Sequence, residues 1–189
     1  MISLTNKKLQ WMILTAIFAA LTAIGAFIKI PTPTVPFTLQ FFFCAFAGLL
    51  LGKKYGLYSQ LLYIFIGLAG MPVFTNGGGP SYLLQPTFGY LIGFALCAFI
   101  IGAGCHNKEK LRFIPLFATI VFGLLVVYLF GILHLYIILD LYLGKTLSFM
   151  QLLWIGFLPY ILFDVLQSAI IAWIALKVMP LLRKSGYLQ

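Results

Sequence analysis

Acidic side chains are almost missing from this chain: three among 189 residues, Glu109, Asp140 and Asp164, against twelve Lys and Arg. Charge of either sign is scarce, at 8%, where a soluble domain carries about 25%. With 63% hydrophobic residues and a mean hydropathy of +1.11, a water-soluble fold would expose far too much apolar surface, so that class is excluded. Cysteines number three, Cys44, Cys97 and Cys105. Their spacing matches neither a disulfide framework nor a metal site, and they read as buried thiols. Strict apolar–polar alternation is missing, which argues against a transmembrane β-barrel. A nucleotide loop is missing too: Gly48 to Gly52-Lys53-Lys54 has the wrong spacing, with no Ser or Thr after the lysines. His106 and His134 have no cysteine or carboxylate at catalytic or ligand spacing. No catalytic group, metal site, cofactor or ATPase activity is expected.

What is present is continuous hydrophobic sequence. A helix needs about 20 mostly apolar residues to cross a bilayer core about 30 Å thick. Six stretches qualify: Leu9–Ile30, Phe37–Leu51, Gly56–Gly70, Gln85–Gly104, Phe113–Leu139 and Phe149–Met179. The second and third are short and rely on small tilt or on burial against neighbours. The last is long enough to hold a break. The expected fold is an all-α membrane protein, a bundle of six transmembrane helices in a single domain over residues 1–189. No internal repeat or linker divides it.

Basic residues orient the bundle. Lys7, Lys8, Lys53, Lys54, Lys108, Lys110, Arg112, Lys177, Arg183 and Lys184 fall at alternate crossings, leaving Lys29 and Lys145 opposite. Positive-inside bias then puts both termini and the basic loops in the cytoplasm. The net charge of +9 follows from topology, and nucleic-acid binding is a poor reading because no domain presents the charge. Lys7 and Lys8 before an apolar run resemble a secretory signal, but the run is longer than the usual 7–15 residues or so.

Asp164 is the first candidate for function, because an acid in a membrane span costs roughly 2.5–3.5 kcal/mol and marks a site by default. Pro159 suits the first turn of a helix, which would place Asp164 about one and a half turns inside the outer end. Gln167 shares its face one turn deeper. A carboxylate packed against another helix is the plainer alternative. Further polar groups lie near the outer ends of other spans. Thr38 and Gln40 follow Val35-Pro36-Phe37, and Thr87 and Tyr90 sit in Pro86-Thr87-Phe88-Gly89-Tyr90. Asn76 precedes Gly77-Gly78-Gly79 in the middle outward connection, where glycines let a ligand approach main-chain N–H groups. Each feature alone fits packing or a surface turn; together they describe an outward pocket with aromatic walls. Separately, Ala16, Ala19, Ala20 and Ala23 make a smooth face on the first helix, suited to internal packing or to docking of a second membrane protein.

These residues resemble the BioY family, the biotin-binding S components of energy-coupling-factor transporters. The resemblance runs across nearly the whole chain. It is carried by Val35-Pro-Phe-Thr-Leu-Gln40, Gly70-Met-Pro-Val-Phe74 with the glycine loop, Pro86-Thr-Phe-Gly-Tyr90, and Pro159 ahead of Asp164. It implies a six-helix substrate-binding subunit in a prokaryotic cell membrane. Its partners would be a transmembrane coupling subunit, docked on the alanine face, and two cytoplasmic ATPases. Biotin's ureido ring would donate to Asp164 and accept from Asn76 or from N–H groups of Gly77, Gly78 and Gly79. Phe41, Phe74 and Tyr90 would enclose the bicycle, and Lys29 or backbone donors would meet the carboxylate. Where the family commonly has a lysine three residues after the aspartate, this chain has Gln167, so the partner of the ligand carboxylate is open. The rival readings are a stand-alone carrier for biotin or a related metabolite driven by an ion gradient, and, more distantly, a membrane enzyme.

Overall fold

The computed structural model describes residues 4–185 except Pro33, Asn107 and Glu109, and describes no side chain for residues 4–6 or Leu141. Pro33 of the first outward connection and Glu109 of the inner basic loop thus lie outside the described residues. Six α-helices carry the fold: α1 (Leu4–Phe27), α2 (Gln40–Leu68), α3 (Phe88–Cys105), α4 (Phe113–Tyr136), α5 (Phe149–Gly156) and α6 (Leu158–Lys184).

The partition differs from the six expected stretches in two places. The second and third stretches are arms of α2, interrupted at Gly52, whose φ of 75° is open to glycine and closed to most side chains. The chain doubles back there, so that Gly56 lies against Ala47 and Gly48. The last stretch divides at Phe157 into α5 and α6, with a proline in the first turn of α6. A Ser148–Gln151 capping box starts α5, satisfying N–H groups that would otherwise be bare in lipid. By length and hydropathy α1, α3, α4 and α6 each suffice to cross a membrane.

Two further corrections concern helix ends. Lys29 and Ile30, expected at the end of the first span, leave the helix and form strand β1 (Lys29–Ile30), paired antiparallel with β2 (Phe37–Thr38). The Leu39 N–H donates to the carbonyls of Gly25 and Ile28, which folds this hairpin back over the end of α1. At its far end α4 continues as a π turn (Ile137–Tyr142); Asp140 there accepts from the Leu147 N–H at 3.0 Å.

Packing follows residue size. α2 lies between α1 and α3, α4 packs on α3, and α6 closes against α4 and α2. Cys44, Ala45, Ala47, Leu49, Cys97, Ala98, Ile101, Ile120 and Leu124 are sealed in the core, so the cysteines behave as small hydrophobes. At the basic end Trp11 stacks on Tyr55 at 5.4 Å, His106 bonds the Leu49 carbonyl through Nδ1 at 2.9 Å, and Arg183 donates to the carbonyl of His106 at 2.6 Å.

Candidate functional site

Helices α2, α3, α4 and α6 surround a cavity at the end opposite the basic loops. Asp164 lies about 9 Å into α6 at 1.5 Å per residue, on the face turned to α4. The Tyr128 hydroxyl of α4 donates to its Oδ2, while among the described residues nothing donates to Oδ1. The carboxylate is half-buried and borders a cavity of about 60 Å³.

The cavity wall gathers residues far apart in sequence. Val35, Pro36, Phe37 and Thr38 come from the hairpin, Gln40 and Phe41 from the start of α2, and Thr87, Tyr90, Leu91 and Phe94 from the start of α3. Thr75 and Tyr82 come from the connection between them, Leu124, Val127 and Tyr128 from α4, and Tyr160 and Asp164 from α6. Most wall area is aromatic or aliphatic, with polar atoms set in hydrogen-bonded chains. Gln40 Nε2 donates to the Tyr63 hydroxyl at 2.9 Å, and Tyr63 donates to the Val73 carbonyl at 3.1 Å. The Tyr82 hydroxyl sits 2.9 Å from Thr75 Oγ1 and 3.2 Å from Thr87 Oγ1. Such pairing fixes side-chain positions in a medium where an unpaired polar atom costs several kcal/mol.

Of the residues singled out in sequence, Asp164, Thr38, Gln40, Phe41, Thr87 and Tyr90 reach the cavity. Tyr90 offers its ring, since its hydroxyl donates to the Gly156 carbonyl at 2.8 Å and ties α3 to the end of α5. Phe74 lies outside the wall, 1% exposed between Tyr63 and Tyr82. Asn76 is exposed at the tip of a tight turn whose ends, Phe74 and Gly77, pair with each other. Gly77 and Gly79 have φ of 111° and 100°; their N–H groups donate to the carbonyls of Phe74 and Gly67. The first therefore closes the turn on itself and the second fastens the loop to α2, instead of facing the cavity. Lys29 donates to the Thr75 carbonyl, which joins the hairpin to this same loop. Gln167 is 5% exposed, and neither polar atom of its amide has a hydrogen-bond partner among the described residues.

Tyr128, Tyr160, Tyr82 and Thr75 were not singled out in sequence. Signals pointed to two of them. Tyr160 precedes Asp164 by four residues and so shares its face. Tyr128 carries a hydroxyl into the middle of a long apolar span, where it needs a partner. Thr32, whose Oγ1 is 3.2 Å from the Tyr160 hydroxyl, likewise connects the hairpin to α6.

A helical membrane protein with one acid facing an aromatic-walled cavity has the architecture of a solute-capturing transport component. The chain belongs to the BioY family, whose model matches residues 2–184. Among similar proteins is the probable biotin transporter BioY of Lysinibacillus sphaericus, 47% identical over 164 residues, covering 85% of this chain and 84% of that one. The biotin transporter BioY of Thermotoga maritima is 39% identical over 177 residues, covering 92% and 98%. A solved structure described as the S-component for biotin from an ECF-type ABC transporter matches with a TM-score of 0.80 at 25% identity. That match covers 99% of this chain and 100% of the solved one. The family is one of transport components, not enzymes.

Proposed function

We propose that this chain captures biotin in the α2–α3–α4–α6 cavity as the binding subunit of an energy-coupling-factor uptake system. The observation that carries the reading is Asp164: one carboxylate oxygen is held by Tyr128 and the other is left to an aromatic-walled cavity. The two N–H donors of a cyclic urea diverge, so one of them can donate to such an oxygen, and its apolar bicycle suits Phe41, Phe94 and Tyr90. Burying a carboxylate that only the right ligand can pair is how such sites reject analogues.

The cavity of about 60 Å³ has room for a few water molecules, and in this reading it widens as the ligand enters. The β1–β2 hairpin is the mobile part in this reading, held down by Lys29 on Thr75 and Thr32 beside Tyr160. Once released from Thr75, the Lys29 ammonium is free to meet the ligand carboxylate. Gln167, Asn76 and the glycine loop act behind the wall, setting the position of α6 and of the loop bearing Thr75.

In this reading the helices give six crossings of a prokaryotic cell membrane, with both termini and the basic loops in the cytoplasm. A separate coupling subunit and two ATPases supply the energy. Ala16 and Ala20 are exposed, whereas Ala19 is buried and Ala23 half-buried; the docking face is thus the Ala16–Ala20 side of α1, with Ala19 and Ala23 packing inward. Ala20→Trp should abolish co-purification with the coupling subunit while leaving biotin affinity within about twofold. Undiminished co-purification removes that face from the interface.

The decisive experiment is equilibrium titration of the purified chain with biotin, thiamine, riboflavin and folate. Saturable binding of biotin alone is expected; no preference for biotin overturns the reading. Uptake by the lone chain in vesicles under an ion gradient would favour the stand-alone carrier instead.

A further inference from the structure

Away from the cavity, α4 and α5 part around a second concavity of about 450 Å³. Its walls include Leu129, Leu133 and Tyr136 of α4, Leu147, and Phe149 and Leu153 of α5. Beneath them Leu135, Leu139 and Leu152 form a small core of their own. The walls are hydrocarbon, apart from the Tyr136 hydroxyl at the far end of α4. For a chain immersed in a bilayer the medium at this face is acyl chain. A groove that touches a chain on several sides gains more dispersion contacts than a smooth helix face, so a lipid seated there exchanges more slowly.

Charge on the chain that leads into the groove wall says which lipid. Lys145 precedes Leu147 by two residues, is exposed, and has no hydrogen-bond partner for its ammonium among the described residues. Its position is fixed by the main chain. The Lys145 N–H donates to the Leu139 carbonyl at 2.9 Å, and the Leu147 N–H to Asp140 Oδ1 at 3.0 Å. Gly144, with φ of 65°, turns the chain between them. Asp140 is the neighbouring acid, and one of its oxygens is engaged by that Leu147 N–H. Lys29, the other lysine opposite the basic loops, is committed to Thr75. An exposed lysine two residues from the wall of a chain-sized apolar groove can pair with a phosphate joined to an acyl chain.

We propose that the α4–α5 groove seats one anionic phospholipid, with an acyl chain along Leu133 and Leu153 and its ester and phosphate at Tyr136 and Lys145. The site is independent of what the cavity binds. Native mass spectrometry of the purified chain, titrated with dioleoylphosphatidylglycerol or dioleoylphosphatidylcholine, tests it. One phosphatidylglycerol per chain should survive delipidation, with about fivefold preference over phosphatidylcholine. Leu133→Trp should lower retention of both lipids at least tenfold, and Lys145→Gln should bring the two to near parity. If Leu133→Trp fails to give a monodisperse protein by size exclusion, Leu153→Phe fills the same space more gently. Wild-type retention in either folded groove variant overturns the proposal. So does loss of retention in Lys53→Gln/Lys54→Gln with the groove variants unaffected, or cross-linking that finds a second copy of the chain in the groove.

Discussion

At the basic end α2 and α3 touch backbone to backbone, whereas around the cavity α3 stays that close to α4 alone, through Gly89 and Gly93, and aromatic rings line the space facing α2 and α6. Gly48 meets the Ala98 carbonyl so closely that a Cβ would stand 2.5 Å from its oxygen, and Gly102 lies against Gly52 and Lys53. Toward the other end of the same helices, Phe41, Tyr63, Phe94, Tyr128 and Tyr160 occupy the facing positions, and Tyr128 meets Phe157 edge-on at 4.8 Å. In lipid there is little hydrophobic force to draw helices together, so van der Waals contact between small residues sets where they close. The cavity lies where rings, not small residues, fill the positions between α2, α4 and α6. The contrast also separates their tasks: the tight end keeps a fixed frame, and the propped end can take a ligand.

Four substitutions probe that contrast, taken from the largest expected effect downward. Asp164→Ala should weaken biotin binding by about 100-fold or more, roughly 3 kcal/mol, with no loss of monodisperse protein in detergent, because it empties the cavity end without touching the frame. Equal affinity in isothermal titration would detach Asp164 from the ligand. Gly48→Val at the tight end should do the opposite, costing about 1–3 kcal/mol of stability by overpacking and lowering the thermal midpoint. A midpoint equal to that of the parent chain would show that the α2–α3 contact is looser than the geometry says. Tyr128→Phe leaves the ring as a prop but removes the donor to Asp164. The expected loss is about tenfold in affinity, near 1.4 kcal/mol, with the midpoint little changed. Lys29→Gln should matter least for the frame, yet it frees the hairpin from Thr75. Faster biotin association in stopped-flow measurements is expected, and an unchanged rate would mean that the hairpin does not limit access.

The helical class was legible because composition and unbroken apolar runs leave a membrane chain few alternatives. Six helices were expected and six are present, but the single-residue reversal at Gly52 was not foreseen. Gly52 is one glycine among 18, and only its φ distinguishes it. The break before α6 was visible in Pro159. The hairpin was not, because Lys29, Ile30, Phe37 and Thr38 read as the ends of apolar spans.

The site was partly legible for a related reason. Asp164, Gln40 and Thr87 stand out as polar residues in apolar surroundings. Tyr128 and Tyr160 look like ordinary span residues until a partner is brought beside them. The glycine loop misled in a specific way. Its sequence announces free N–H groups, but whether those groups face a ligand depends on which carbonyls lie within reach, and Phe74 and Gly67 take two of them.

By itself the sequence determined the medium in which this chain lives, the family to which it belongs and the acid around which a site would form, because each rests on residue chemistry and local spacing. The tertiary structure alone decided which hydroxyl reaches that acid, which glycines are sealed into contacts and where the helices separate. Those outcomes depend on distances between segments up to more than 100 residues apart, as with Thr32 and Tyr160, and no local pattern encodes them.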